Sequence, residues 1–464
     1  MSFQTKYFRE PIFKINQISF MRKQILYATL LLALITLFNL SCKKQDNTSF
    51  NEAGQTKAFS SEVPIKWLDM QLNLLRVPLA AGTASQASER AIAYCGIALY
   101  EAVVPGMPSN RSLGGQLNQL PLMPASQPGV PYHWGASANA ALAYMNRKLF
   151  PNTSAANNTA IDSLENKLQA MYSTQVDAAT LQRSVEFGQA VAKVVFDWAQ
   201  GDGILTMPAA STYVLPVGLG LWEKTPPNFA GPVNPFYSMK RLLVTGSDAG
   251  SAPVPPPAYS TDPSSDFYKM AKDVYDKSLN LTAEQTAMAI YHRDVPGYPG
   301  GGTLVAILSQ VIQKAGSTLD VAALAYAKTG IGYYDAITLC FIEKYTRNVV
   351  RPITYIRNIM GYSTWSPLFA TPGHPEFPAA HAVNGGSFSV MLTDVYGSNF
   401  NFTLKTYAYL GLPDRNYKSF DDLAIEMANS RVFGGIHYQP SCDKGIAMGK
   451  KVANNILGKL KFLK

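Results

Sequence analysis

The chain is poor in charge, cysteine and histidine. Asp, Glu, Lys and Arg make up 15% of its 464 residues, against 47% hydrophobic residues. That balance excludes a disordered, solvating chain and is that of a globular protein with a large core. The four cysteines show no metal-type spacing, so a zinc-finger-like site is excluded; a disulfide is allowed but not required. Cys95 and Cys340 fall in apolar helical runs and are expected as small core residues. No convincing run alternates polar and apolar residues, and no short repeat recurs, so strand arrays and repeat arrays are not expected. The net charge is +9, of which +4 sits in residues 1–42 (Lys6, Arg9, Lys14, Arg22 and Lys23 against Glu10). The remaining +5 is too mild for a nucleic-acid footprint.

The longest apolar run, Ile25 to Leu40, is too short and too near the terminus for an ordinary membrane span. It follows Arg22-Lys23 and ends at Leu40-Ser41-Cys42, the layout of an export signal. The pattern resembles a bacterial lipoprotein signal, which implies that Cys42 becomes the lipidated first residue, with Met21 a plausible start. An uncleaved anchor and a cleaved signal without lipid are the other readings. Residues 43–62 are polar and read as a tether.

From residue 63 onward the apolar spacing is helical, and the expected class is all-α. Helices are expected at Pro64–Leu79, Ser88–Val104, Trp134–Leu149, Ala156–Tyr172 (capped by Asn158 or Thr159) and Ala178–Gln200. Residues 206–264 crowd Pro and Gly and read as a long irregular connection, functional or wrapped on the surface. Helices resume at Ser265–Leu279, Thr282–His292, Thr303–Ala315 and Thr318–Tyr345, then at Val383–Val395, Leu404–Leu410, Ser419–Val432 and Cys442–Leu457. The glycine-rich turn Gly297–Gly302 lacks the Gly-Lys-Ser/Thr of a phosphate loop. The expected organisation is an N-terminal helical half at 63–205, the connection at 206–264, and a C-terminal helical half at 265–464.

Three segments in that last half carry the chemistry. They are Lys344–Pro352 with Arg351, His374–His381 with Ala379 and Ala380, and Ser430–His437 with Arg431, Gly434 and Gly435. No Asp or Glu lies in the first or third. Arg offers forked donors and Lys a point charge, so the set suits a tetrahedral oxyanion. Lys344 and Arg351 stand seven residues apart, about two helical turns, so both heads are expected on one side. His381 begins an apolar-periodic helix whose N-terminal N–H groups favour an anion. His374 is expected at the mouth, and His437 emerges from the Gly434-Gly435 turn. Each histidine can serve as acid, base, nucleophile or ligand.

Lys-x6-Arg-Pro, Pro-x-x-His and Ser-Arg-x3-Gly-x-His together resemble the signature of the vanadium haloperoxidase and type 2 phosphatidic acid phosphatase superfamily. Weaker similarity, including the Gly220–Ala230 loop, extends from about Ser60 to the C-terminus. The absence of spanning helices after the signal favours the haloperoxidase-like branch, which implies two helical bundles with the site in the C-terminal one. The resemblance implies vanadate as cofactor. Lys344, Arg351, Arg431, the Ala380 N–H and Gly435 would hold its oxygens, His437 would bind vanadium axially, and His381 would be the acid/base. It implies hydrogen peroxide and halide as reactants, and His374 favours bromide or iodide. A phosphatase acting on a phosphate ester, with His437 as nucleophile, and a non-catalytic oxyanion-binding lipoprotein are the alternatives. Two departures stand out. Ala379-Ala380-His381 replaces the usual Ser-Gly-His. Ser441 replaces the aspartate usual four residues after the last histidine, leaving Asp443, Asp335 or a carbonyl to orient the ring. The implied location is exported and lipid-anchored in the bacterial cell envelope, with the outer membrane favoured.

Overall fold

The computed structural model describes residues 54–76 and 88–464. The export-signal reading and Cys42 lie outside the described residues, and the unit Gly54–Lys464 is described by itself. It is helical apart from one small sheet, as the spacing predicts. The helices are α1 (Glu62–Leu75), α2 (Ser88–Val103), α3 (Trp134–Leu149), α4 (Ala155–Tyr172), α5 (Ala178–Ala199), α6 (Asp266–Leu279), α7 (Ala283–Tyr291), α8 (Gly302–Lys314), α9 (Leu319–Arg347), α10 (Pro352–Asn358), α11 (Ala380–Tyr396), α12 (Phe420–Phe433) and α13 (Gln439–Lys459). Their starts follow cap chemistry. Asp177 and Ser419 accept backbone N–H groups at the heads of α5 and α12, and Thr282 closes a capping box with Gln285 on α7. Ser154, not Asn158 or Thr159, caps α4, so that helix begins one residue earlier than expected.

Two expectations fail. Leu404–Leu410 is not a helix: Phe402–Leu404 (β1) pairs antiparallel with Arg415–Tyr417 (β2), and only Ala408–Leu410 coils, as a single 3-10 turn. Phe402 packs on Tyr417 and Phe420, a non-local apolar contact that overrides the local pattern. Residues 54–62 are not a loose tether either. The Thr56 hydroxyl donates to Val103 O at 2.8 Å, Phe59 packs on His133, and α1 begins at Glu62.

The two helical halves share one core, built where α2 lies along α9. A Cβ at Gly96 would stand 2.6 Å from Tyr326 O, and one at Gly330 would stand 2.8 Å from the Ala93 Cα. Glycine on each helix lets the backbones approach where any side chain would force them apart. Cys95, Cys340 and Cys442 are buried and form no disulfide among the described residues. Burial pushes the Cys95 thiol up and raises that of Cys340 to about 11, so both stay protonated core groups. No helix among the described residues is long and apolar enough to cross a membrane.

Candidate active site

The first segment is not one continuous helix. α9 stops at Arg347 because Asn348 takes the left-handed conformation, φ +52°, which Asn tolerates better than most residues. Val349 and Val350 then run extended. Trp222 N–H donates to Asn348 O and Val350 N–H to Gly220 O, so the irregular connection pairs with this stretch. On the other side Glu376 N–H donates to Val349 O. Arg351 therefore reaches His437 from the cap of α10, while Lys344 reaches the Glu376 backbone from the last turns of α9. The shared side expected from helical spacing is produced instead by a turn held between two distant segments.

Both cations are fully buried and knit the segments together. Lys344 Nζ donates to Pro375 O and Glu376 O, each at 3.0 Å. Arg351 donates from Nε to His374 O at 2.9 Å, and from one terminal nitrogen to Ile436 O at 2.7 Å. The third segment contributes Arg431 from α12, which donates to His292 O at 2.7 Å. Its Nε is buried without a partner among the described residues. Burial lowers the pKa of all three, that of Arg351 to about 10, and mutual repulsion adds to the effect on Lys344 and Arg351.

His437 is held at both ring nitrogens. Nδ1 lies 2.8 Å from Glu376 Oε1, and Nε2 lies 3.1 Å from a terminal nitrogen of Arg351. A guanidinium only donates, and burial followed by the charge of Arg351 drives the imidazole pKa well below its ordinary value. The ring is therefore neutral, with its proton on Nδ1 and a lone pair on Nε2. Glu376 Oε1 also accepts the Tyr438 N–H at 3.0 Å. Burial raises the Glu376 pKa, and Arg351 and Lys344 pull it back. The ring-orienting group is thus Glu376, inside the second segment. Asp335 instead accepts the N–H groups of Leu243 and Val244, and Asp443 accepts from Gln439 on the outside of α13. Ser441 adds a small lowering of the Glu376 pKa, although its hydroxyl makes no hydrogen bond among the described residues.

His381 stands in the first turn of α11, with Nε2 2.9 Å from Asp294 Oδ2. Asp294 sits at φ +69°, beside the glycine-rich turn. Burial opposes its ionisation, but His381 and then Arg431 outweigh it and hold the carboxyl below its usual range. Burial and Arg431 lower the His381 pKa in turn, which favours a neutral ring with its proton on the Nε2 that faces Asp294. The Ala380 N–H makes no backbone hydrogen bond, as its place at the head of α11 requires. His374 is buried rather than placed at the mouth. Its ring packs edge-on to Phe341, and Nδ1 lies 2.9 Å from the second terminal nitrogen of Arg351. Gly435, at φ +76°, spends its N–H on Val432 O, so it shapes the turn and leaves the oxyanion contacts to others.

Ala380, His374, His381, Arg431 and His437 line one cavity of about 820 Å³. The unpartnered Arg431 Nε, the open head of α11 and the Nε2 lone pair of His437 fit a vanadate or phosphate group. Ala379 is buried in an apolar cluster with Cys442 and offers no hydroxyl.

A family model for the VCPO second helical-bundle domain matches residues 325–463, which contain all three segments. Among solved structures, one described as the first bacterial vanadium-dependent iodoperoxidase superposes with a TM-score of 0.78 at 29% identity, covering 88% of this chain and 98% of that one. A holo-type bacterial vanadium-dependent chloroperoxidase shares the fold with a TM-score of 0.63 at 17% identity, over 86% of this chain and 97% of that one. No curated protein matches the chain. Residues 325–463 thus match a VCPO second helical-bundle domain, and the similarity over nearly the whole of both chains supports the fold and superfamily of the bacterial vanadium haloperoxidases for this chain.

Proposed function

We propose that the protein is a vanadate-dependent haloperoxidase that oxidises iodide or bromide with hydrogen peroxide. The observation that carries this reading is the clamp on His437, whose Nδ1 faces Glu376 and whose Nε2 accepts from the buried Arg351, beside a cavity that His437 and Arg431 line. In this reading Lys344, Arg351, Arg431 and the Ala380 N–H neutralise the oxygens of vanadate, and His437 Nε2 holds the vanadium. Bound vanadate supplies a Lewis acid that activates peroxide without changing its own oxidation state. His381, held by Asp294, delivers and receives the protons that peroxide chemistry requires. His374 fixes the Arg351 fork and lines the cavity. Likeness to an iodoperoxidase supports iodide ahead of chloride.

One geometric fact favours a second reading. A neutral Nε2, once a bound oxyanion takes over the Arg351 guanidinium that it now accepts from, is also a nucleophile, so the same pocket suits a phosphatase that forms a phosphohistidine. The test is peroxide-dependent oxidation of iodide and bromide after loading with orthovanadate, with a phosphate-ester assay alongside. Vanadate-dependent oxidation that vanishes in His437→Ala is expected. Phosphate release inhibited by vanadate overturns it in favour of the phosphatase. Vanadate binding with neither activity overturns it in favour of an oxyanion-binding protein without turnover. Export with a lipid on Cys42 belongs to the same proposal. Labelling of cells with a fatty-acid analogue checks it, and label retained in Cys42→Ser refutes it.

A further inference from the structure

The cavity is far larger than its oxyanion end requires. Halide and peroxide each occupy no more than about the room of two waters, at roughly 30 Å³ per water, whereas the cavity holds about 820 Å³, within the range that encloses an organic ligand. Beyond the polar end its wall is apolar. Ile337 and Phe341 come from α9, Leu205 from the 3-10 turn Ile204–Thr206, Phe236 from the irregular connection, and Val295 from the turn after α7. Most charges in this wall are matched. Arg90 pairs with Asp202 at 2.7 Å, Glu89 with Lys240 at 3.1 Å, and Asp294 with His381 at 2.9 Å. Away from Arg431 at the oxyanion end, Arg293 is left unmatched. Its half-buried side chain lines the cavity and makes no ion pair or hydrogen bond among the described residues. A guanidinium in a largely apolar wall is a forked receptor for a carboxylate.

We propose that this cavity binds the organic acceptor of the oxidised halide, an electron-rich aromatic acid whose ring lies against Phe236 and Phe341 and whose carboxylate pairs with Arg293. The proposal rests on the haloperoxidase reading. In that reaction the O–O bond of hydrogen peroxide breaks as it takes two electrons from halide and one proton is consumed, giving hypohalous acid and water. The ring carbon then forms a bond to halogen and loses its proton, which leaves with the hydroxide of the hypohalous acid as water. Aromatic walls favour a ring held edge-on or offset, and the electrophilic step requires an electron-rich one.

The test uses the full chain loaded with orthovanadate and a matched pair of phenols, 4-hydroxyphenylacetate and its neutral amide. Calorimetry is expected to show saturable binding of the acid, with the amide about tenfold or more weaker. Arg293→Ala is expected to bind the acid no better than the amide, and Arg293→Lys to recover part of the difference. In an equal mixture the enzyme is expected to halogenate the acid first, whereas reagent hypohalous acid treats the two alike. Equal affinities in the wild type, no binding, or a product ratio equal to that of the reagent overturns the proposal. Triiodide formation without any organic acceptor is measured on the same wild-type sample. Its absence sinks the haloperoxidase reading, and its presence without acid preference sinks the acceptor site alone.

Discussion

Glu376 carries the sharpest prediction. Its carboxylate accepts from His437 Nδ1 at 2.8 Å and from Tyr438 N at 3.0 Å, in a fully buried position. Hydrogen bonds to a charged acceptor contribute about 1.5–3 kcal/mol each. Glu376→Ala removes both, frees the imidazole to rotate or change tautomer, and leaves Lys344 and Arg351 without their nearest counter-charge. Partners that orient a metal-ligating histidine are typically worth about 10- to 100-fold in affinity. Vanadate affinity, read by vanadium NMR or calorimetry, is therefore expected to fall about 10- to 100-fold in Glu376→Ala. Glu376→Gln keeps an acceptor for Nδ1–H and loses only the charge, so it is expected to fall between the two. Nitrogen NMR of the imidazole supplies a readout that packing alone does not move: the wild type shows the Nδ1–H form, and the alanine variant a mixture. Wild-type affinity and an unchanged tautomer in a folded Glu376→Ala protein would refute the assignment. Unfolding of that variant leaves Gln as the test, because it retains the shape of the side chain.

Three further outcomes follow from the same geometry. Arg431→Ala, which removes the pocket's unpartnered Nε, is expected to weaken orthovanadate and phosphate binding by about 100-fold or more, the worth of two charge-assisted bonds; calorimetry on a variant with wild-type circular dichroism checks it. Ala379→Ser restores a hydroxyl at the place where the family motif has one, and tighter vanadate binding by about tenfold is expected, with unchanged affinity counting against the motif alignment. Lys344, lowered to about 7 by burial, is charged only below that pH when the pocket holds no anion, and a bound anion raises it again. Anion affinity is therefore full below about 7 and falls as pH rises toward the ordinary lysine value of 10.5. Glu376, raised by burial, loses its proton with rising pH and acts in the same direction. Sulfate, whose charge is constant over this range, is the probe, and pH-independent affinity between 6 and 9 would contradict the burial argument.

Helix positions were legible because they depend on local terms. Caps at Asp177, Thr282 and Ser419 and the spacing of apolar residues place α5, α7 and α12 without knowledge of the rest of the chain. The cations and histidines were legible as residue types. What failed was anything set by contacts distant in sequence. The break after Arg347 needs the Gly220–Trp222 partner, β1 needs Tyr417, and the partner of His381 lies on the far side of three helices at Asp294. No local signal marks Asp294. Glu376 did carry one: it is the sole carboxylate in the three segments. A pocket of buried cations around a neutral imidazole needs one internal anion, and that residue was the nearest candidate.

The position of that anion shows why spacing misleads where geometry does not. His437 Nδ1 requires an acceptor that is buried, ionisable and fixed; the chain position of the acceptor is immaterial. In the family pattern an aspartate one helical turn after the histidine meets the requirement. Here that position holds Ser441, a neutral side chain beside Glu376 that helps stabilise the carboxylate. A carboxylate at both places would put two like charges on one imidazole and raise the pKa of one of them. Ser441→Asp alone is expected to weaken rather than improve oxyanion binding, because it adds negative charge to a pocket that already has its ring-orienting anion. Tighter vanadate binding by Ser441→Asp would show instead that Glu376 is an incomplete substitute.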